Sequence, residues 1–246
     1  MNRSDVLRAG MGSTLLAISM MAAAATDCGP TTLGTARTLT LARSGAAYGK
    51  AQHPALPLAA GEVVLTFDDG PQPGSTPQVL QALGEQCVRA SFFMTGESLA
   101  RAPELGAQVR AQGHTVAMHG YQHPHFASLP EAEQLADLKA AQALHQRVFG
   151  VTAAAYRFPF LEESAPLRAA LKAQAITVMS IDAAIDDWLP EQTPTMLTER
   201  LLQRLKETGG GIILLHDAQP QTAAALPMIL LALKDRGYRV VHLDWE

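Results

Sequence analysis

Asp68 and Asp69 sit side by side at the end of an apolar run, VVLTFDDGP (residues 63–71). Two like charges on neighbouring residues repel, and a cation held between them would offset that repulsion. His119 and His123, in HGYQHPH (residues 119–125), are spaced so that both ring nitrogens can reach one cation from a helical turn or a tight loop. With one carboxylate from another strand they would make three protein ligands. A position would stay open for water, the arrangement of a catalytic rather than a structural zinc site. Neither pattern is specific alone: H-x-x-x-H occurs without metal, and Asp-Gly is also a turn signal. His114 and His125 read as surface or packing residues, and Asp217 as a turn residue or a support to its neighbours.

The segments that must position these groups alternate in type. Short β-rich runs lie at 63–67, 90–95, 114–118, 155–160, 176–182, 211–215 and 239–243. Between them, stretches such as 129–149 and 221–236 place apolar residues at helical spacing. Strands that are apolar throughout and separated by helices imply a parallel sheet covered on both faces. Seven such units fit a closed or nearly closed barrel better than an open sheet; the weakest helix is the fifth, which contains Pro194. Asp68 and Asp69 follow the first strand, His119 and His123 the third, Arg157 the fourth, Asp187 and Trp188 the fifth, and His216 the sixth. In a β/α barrel those strand ends converge on one mouth.

Composition narrows the function classes. The 246 residues are 48% hydrophobic and 17% charged, enough for one sizeable core. A net charge of -4 with no basic run leaves no electrostatic footprint for nucleic acid. At the N-terminus, Arg3 and Arg8 precede an apolar stretch from Gly10 to Met21 and the small residues Ala22 to Ala25. This is the order of a secretory signal over residues 1–25, shorter in its apolar part than the roughly 20 residues of a membrane span. The mature protein is therefore expected to be secreted or periplasmic, without a transmembrane segment. Residues 26–61, rich in Thr, Ala, Gly and Pro, read as an irregular lead-in or tether, and residues 62–246 as the catalytic domain. Cys28 and Cys87, the two cysteines, either pair in an oxidising compartment or leave Cys87 as a buried thiol.

Taken in order, TFDDGP, HGYQHP, YRFPF, IDDW and LLHD resemble the five motifs of the polysaccharide deacetylase family, carbohydrate esterase family 4. The resemblance covers residues 61–243. It implies an α/β fold, a distorted (β/α)7 barrel in a single domain, and metal-dependent removal of acetyl groups from N-acetylated sugars of a glycan. Carried onto this sequence, it makes Asp69, His119 and His123 the ligands of a divalent metal, most often Zn2+ in the family. Asp68 becomes the general base toward the attacking water, with Arg157 paired to it and keeping it ionised. His216 becomes the general acid, oriented and held protonated by Asp187. Trp188 and Leu214 would wall the acetyl pocket, and the backbone N–H of Phe160 would meet the oxyanion.

Three features depart from the family pattern. Gly120 stands where a Ser or Thr is usual, removing a hydroxyl that would brace the histidine loop. The third motif reads R-F-P-F rather than R-P-P-Y, and aromatic residues make up only 5% of the chain, which favours a short cleft. Two other classes share the motifs: a metal-dependent amidase acting on a non-sugar amide, and a glycan-binding protein that has lost activity.

Overall fold

Each of the seven expected runs carries a strand, and every ladder among the described residues is parallel. The computed structural model describes residues 28–246, so the expected signal over residues 1–25 lies outside the described residues. The chain opens with β1 (Thr35–Leu41), β2 (Ala47–Tyr48) and β3 (Glu62–Asp68), then α1 (Thr76–Glu85) and β4 (Ser91–Met94). Next come α2 (Gly96–Arg101), α3 (Pro103–Ala111), β5 (Thr115–Met118), α4 (Glu131–Phe149) and β6 (Ala155–Tyr156). It ends with α5 (Ala165–Ala173), β7 (Thr177–Met179), β8 (Ala183–Ala184), α6 (Pro194–Thr208), β9 (Gly211–His216), α7 (Pro220–Asp235) and β10 (Arg239–Trp245).

From β3 the ladder runs through β4, β5, β6 and β7 on one side and through β9 and β8 on the other. The run expected as one strand over 176–182 is broken: β7 pairs with β6, whereas β8 pairs with β9. Because β7 and β8 are joined by three residues, this one stretch links the two ends of the ladder and closes the barrel. Asp182 makes the bend, its N–H donating to the Ile212 carbonyl while its carboxylate accepts the N–H groups of Ile212 and Lys50. β10 starts beside β3 at Glu62 and Val63, then leaves it and pairs with β1 along the rest of its length. Its far end crosses beneath the barrel, where the Thr115 hydroxyl donates to the Leu243 carbonyl and the Trp245 indole to the Thr177 hydroxyl.

That floor seals the barrel interior. Val64, Phe93, Ala117, Ala155, Met179 and Ile212 project inward from their strands and pack against Val241 and Leu243 of β10. The opposite faces of β3, β4 and β9 bury Leu65, Phe67, Phe92 and Ile213 against α1, α6 and α7. Fully burying one such side chain stabilises the fold by roughly 1.5–3 kcal/mol. Pro194 turns out to suit its helix, since it occupies the first turn of α6, where no intrahelical N–H is needed. Thr193 caps that helix by accepting the Met196 N–H.

The segment expected as an irregular lead-in is part of the sheet. β1 lies along β10 and β2 along β7, and Arg37 of β1 forms a two-pronged ion pair with Glu62 at the start of β3. Alternate β1 residues turn inward, Thr35 and Arg37 before Leu39 and Leu41, so the period-2 signal is apolar over only half the strand. Cys28 and Cys87 form a disulfide across a separation of 59 residues, tying this segment to the end of α1. Closing a loop of that length lowers the entropy of the unfolded chain enough to contribute up to about 4 kcal/mol. The Cys28→Ala/Cys87→Ala variant should therefore melt several degrees below the parent in the absence of reductant; equal melting temperatures would show that the crosslink contributes nothing.

Candidate active site

β3 delivers two carboxylates in two directions because successive strand residues point to opposite sides. Asp68 ends the ladder, paired with Phe93 on one side and His216 on the other, and is 2% exposed. Asp69 leaves the strand with φ of 73° and its side chain is 30% exposed. The next residue must be glycine: a Cβ on Gly70 would lie 2.0 Å from an Asp217 carboxylate oxygen. Asp217, fully buried, accepts the Gly70 N–H and the Thr76 hydroxyl, so it fixes the turn that carries Asp69. Burial, with the charges of Asp69 and Asp68 adding to it, raises the Asp217 carboxyl to about 7 against the pull of the Thr76 hydrogen bond.

Asp69, His119 and His123 converge. Asp69 Oδ1 lies 3.5 Å from His119 Nε2 and 3.4 Å from His123 Nε2. His119 follows β5, and its Nδ1 lies 2.9 Å from the Arg157 carbonyl, which can only accept; the ring proton therefore sits on Nδ1, and the Nε2 lone pair faces Asp69. Burial drives the His119 pKa down to about 3 despite the charge of Asp69. Asp69 Oδ1 is itself buried without a hydrogen-bond donor. Lone pairs converging on an orphaned carboxylate oxygen repel unless a cation sits among them, so the donor set fits a divalent metal of the zinc type.

Arg157, directly after β6, is wholly buried and directs one Nη1 at Asp68 Oδ1 (2.7 Å) and at the Thr66 hydroxyl (2.9 Å). Its other nitrogens donate to the carbonyls of Met179 and Ser180. The expected pair is present and Arg157 favours the ionised carboxylate as expected, but burial works against it. Burial raises the Asp68 pKa, and Arg157 only limits that rise. A carboxylate with a raised pKa holds a proton better than an ordinary one, which would suit a general base.

His216 ends β9 across the cleft. Its Nδ1 lies 2.7 Å from Asp187 Oδ1, and Asp187 Oδ2 accepts the His216 backbone N–H and the Thr222 hydroxyl. Burial alone would lower the His216 pKa; the hydrogen bond and charge of Asp187, joined by Asp68 and Asp69, outweigh it and raise the value to about 9. The imidazolium thus persists at neutral pH, with Nε2–H available to the cleft.

Asp68, His119, His123 and His216 line a cleft of about 440 Å³ whose other walls are mostly apolar, among them Trp188, Leu214, Phe160 and Ile181. Trp188 is 47% exposed and stands edge-on to His216 at 5.5 Å between ring centroids, so it belongs to the mouth rather than the core. Phe160 is 52% exposed, stacks on His125 at 3.9 Å and meets His123 edge-on at 4.5 Å. Of the expected site residues, Asp68, His119, His123, Phe160, Trp188, Leu214 and His216 line this cleft, while Asp69 lies against the two histidines and Arg157 and Asp187 are buried behind Asp68 and His216. Asp217, expected as a turn residue or a support to its neighbours, is the buried carboxylate that holds the Gly70 turn. His125, read as surface or packing, does both by covering Phe160 and pairing with Glu162.

Comparison with known proteins agrees with this geometry. The sequence profile of the family described as Polysaccharide deacetylase matches residues 56–179, half of the chain. Chitin deacetylase of Colletotrichum lindemuthianum is 31% identical over 193 residues, covering 74% of this chain and 77% of its own. The chain belongs to the polysaccharide deacetylase family. Peptidoglycan-N-acetylmuramic acid deacetylase PdaC of Bacillus subtilis is 29% identical over 182 residues; these cover 74% of this deacetylase-family chain but only 38% of PdaC. Among solved structures, the Bdellovibrio bacteriovorus peptidoglycan deacetylase Bd3279 superposes with a TM-score of 0.76 and 34% identity, covering 85% of this chain and 58% of that one.

The departures from the polysaccharide deacetylase motifs now have structural answers. Gly120 adopts φ of 73°, and the histidine loop is braced from α4 instead: the Asp137 carboxylate accepts the N–H groups of Tyr121 and Gln122 at 2.8 and 2.9 Å. In R-F-P-F, Phe158 packs edge-on against Tyr156 and Phe126 in the core, leaving Phe160 as the aromatic face at the cleft.

Proposed function

We propose that this chain is a metal-dependent hydrolase that removes acetyl groups from N-acetylated sugars of a glycan or oligosaccharide. The reading is carried by one observation: a three-ligand cluster, a buried carboxylate paired with arginine, and a histidine paired with aspartate share one apolar-walled cleft. Asp69, His119 and His123 would hold the metal, zinc being the ion that best suits two imidazoles and a carboxylate. A metal there would make water acidic enough to attack near neutral pH and polarise the acetyl carbonyl.

The chain's own groups supply the rest. Asp68 takes a proton from the attacking water, and the tetrahedral oxyanion that forms meets the N–H of Phe160, which donates to no backbone acceptor among the described residues. His216 donates its Nε2 proton to the departing sugar amine as the carbon–nitrogen bond breaks, releasing acetate. Asp187 keeps the ring oriented and protonated. Trp188 and Leu214 confine the acetyl methyl. A secreted or periplasmic location suits a glycan substrate and the Cys28–Cys87 disulfide. Among the described residues no helix is long and apolar enough to cross a membrane.

The test is an acetate-release panel. Chitin oligomers, peptidoglycan fragments and a non-sugar cyclic amide are incubated with zinc-loaded protein, and products are identified. Acetate from an N-acetylated glycan is expected; ring opening of the amide without acetate would favour the amidase reading, and glycan binding without acetate would favour an inactive binding protein.

A further inference from the structure

The loop before β3 reaches the cleft. Gly49 packs so tightly on the backbone of Ser180 that a Cβ would lie 2.5 Å from the Ser180 carbonyl carbon, and the Ala51 N–H donates to the carbonyl of Ile181, a cleft residue. The Gln52 amide then bridges two elements, accepting the Ser180 hydroxyl at 2.7 Å and donating to the Leu161 carbonyl at 2.8 Å. Beside it, His53 Nε2 lies 2.5 Å from the Glu163 carboxylate, whose other oxygen is 3.2 Å from Arg168.

The turn being held is an unusual one. Phe160 and Leu161 have φ of 55° and 58°, consecutive left-handed residues with no glycine among them. Such backbone persists only where the surroundings fix it, and it gathers at functional sites. On the cleft side the turn is held by His125, which stacks on Phe160 and pairs with Glu162. On the far side it is held by Gln52 and His53.

We propose that Gln52 and His53 form a latch that positions the Phe160–Leu161 turn, making the segment before β3 a working part of the active site. The latch rests on the reading above that the Phe160 N–H meets the oxyanion. Neither residue touches substrate. Their effect is to keep one backbone donor aimed where charge develops in the transition state, so their loss falls on turnover rather than on ground-state binding.

The experiment compares full-length wild-type protein, Gln52→Ala/His53→Ala, and His53→Gln, which keeps a donor toward Glu163. Hydrogen exchange over residues 158–164, zinc content, kcat and KM for acetate release are measured on each. The double variant should exchange faster in that segment and lose about tenfold in kcat, below the 10²–10³ that removing an oxyanion donor outright costs. KM and zinc content should stay unchanged, and His53→Gln should remain near wild type. Unchanged exchange in the double variant, or faster exchange with full kcat, overturns the latch. If wild-type protein releases no acetate, the deacetylase reading fails separately; exchange alone then decides whether the two residues hold the turn.

Discussion

Asp68→Asn is expected to lose about 10²–10⁴-fold in turnover while keeping its metal, the usual worth of a positioned general base. Asparagine matches the carboxylate in shape and can still accept from Arg157, so the geometry of the strand end survives. It cannot take a proton from water. The variant should also be less stable, because the buried Arg157 guanidinium loses its counter-charge. Breaking a buried pair outright costs on the order of 3–5 kcal/mol; the retained hydrogen bond, with the contacts to Thr66, Met179 and Ser180, should keep the loss below that. Kinetics and metal analysis on the folded variant check the prediction, and wild-type turnover would remove Asp68 from the mechanism.

His216→Ala should be comparably damaging, for the opposite proton. The leaving amine departs poorly unless protonated, and His216, its pKa raised to about 9, faces the cleft as a proton donor. Asp187 remains satisfied by the Thr222 hydroxyl and the residue 216 backbone N–H, so the variant should fold and keep one metal per chain. The pH profile carries the sign. His216 is active when protonated and its pKa is raised from 6.5 to about 9, so wild-type turnover should hold through neutrality and fall as pH rises through about 9. The same shift contributes stability that is fully present below pH 6.5 and lost toward and above 9. In His216→Ala the alkaline fall in turnover should disappear with the group. Loss of metal in this variant would place His216 among the ligands instead.

Much of the site was legible because barrel geometry converts sequence position into spatial position. A polar residue at the C-terminal end of a barrel strand lies toward the mouth, and Asp68, Asp69, His119, His123, Arg157 and His216 all do. What stayed hidden depends on contacts between distant parts of the chain. β1 and β2 are read only through their partners β10 and β7, since Thr35 and Arg37 interrupt an inner face on which only Leu39 and Leu41 are apolar. The break between β7 and β8 is set by Asp182 hydrogen-bonding across to β9, not by any turn residue. Gly120 foretold a loosened histidine loop, yet Asp137, 17 residues along the chain on α4, supplies the brace. Asp217 looks like any Asp after a strand until its burial beneath Gly70 is seen.

The central requirement is that Asp69, His119 and His123 hold a metal that the reaction needs. Metal content and acetate release should be measured on the same samples of wild-type protein as purified, after chelation, after return of zinc or cobalt, and in Asp69→Asn. One metal per chain is expected, with activity lost on chelation and regained on reloading. Asp69→Asn should bind metal much more weakly, because a neutral amide oxygen replaces the charged ligand, and should partly recover at excess metal. Full turnover in the chelated, metal-free protein would contradict the account.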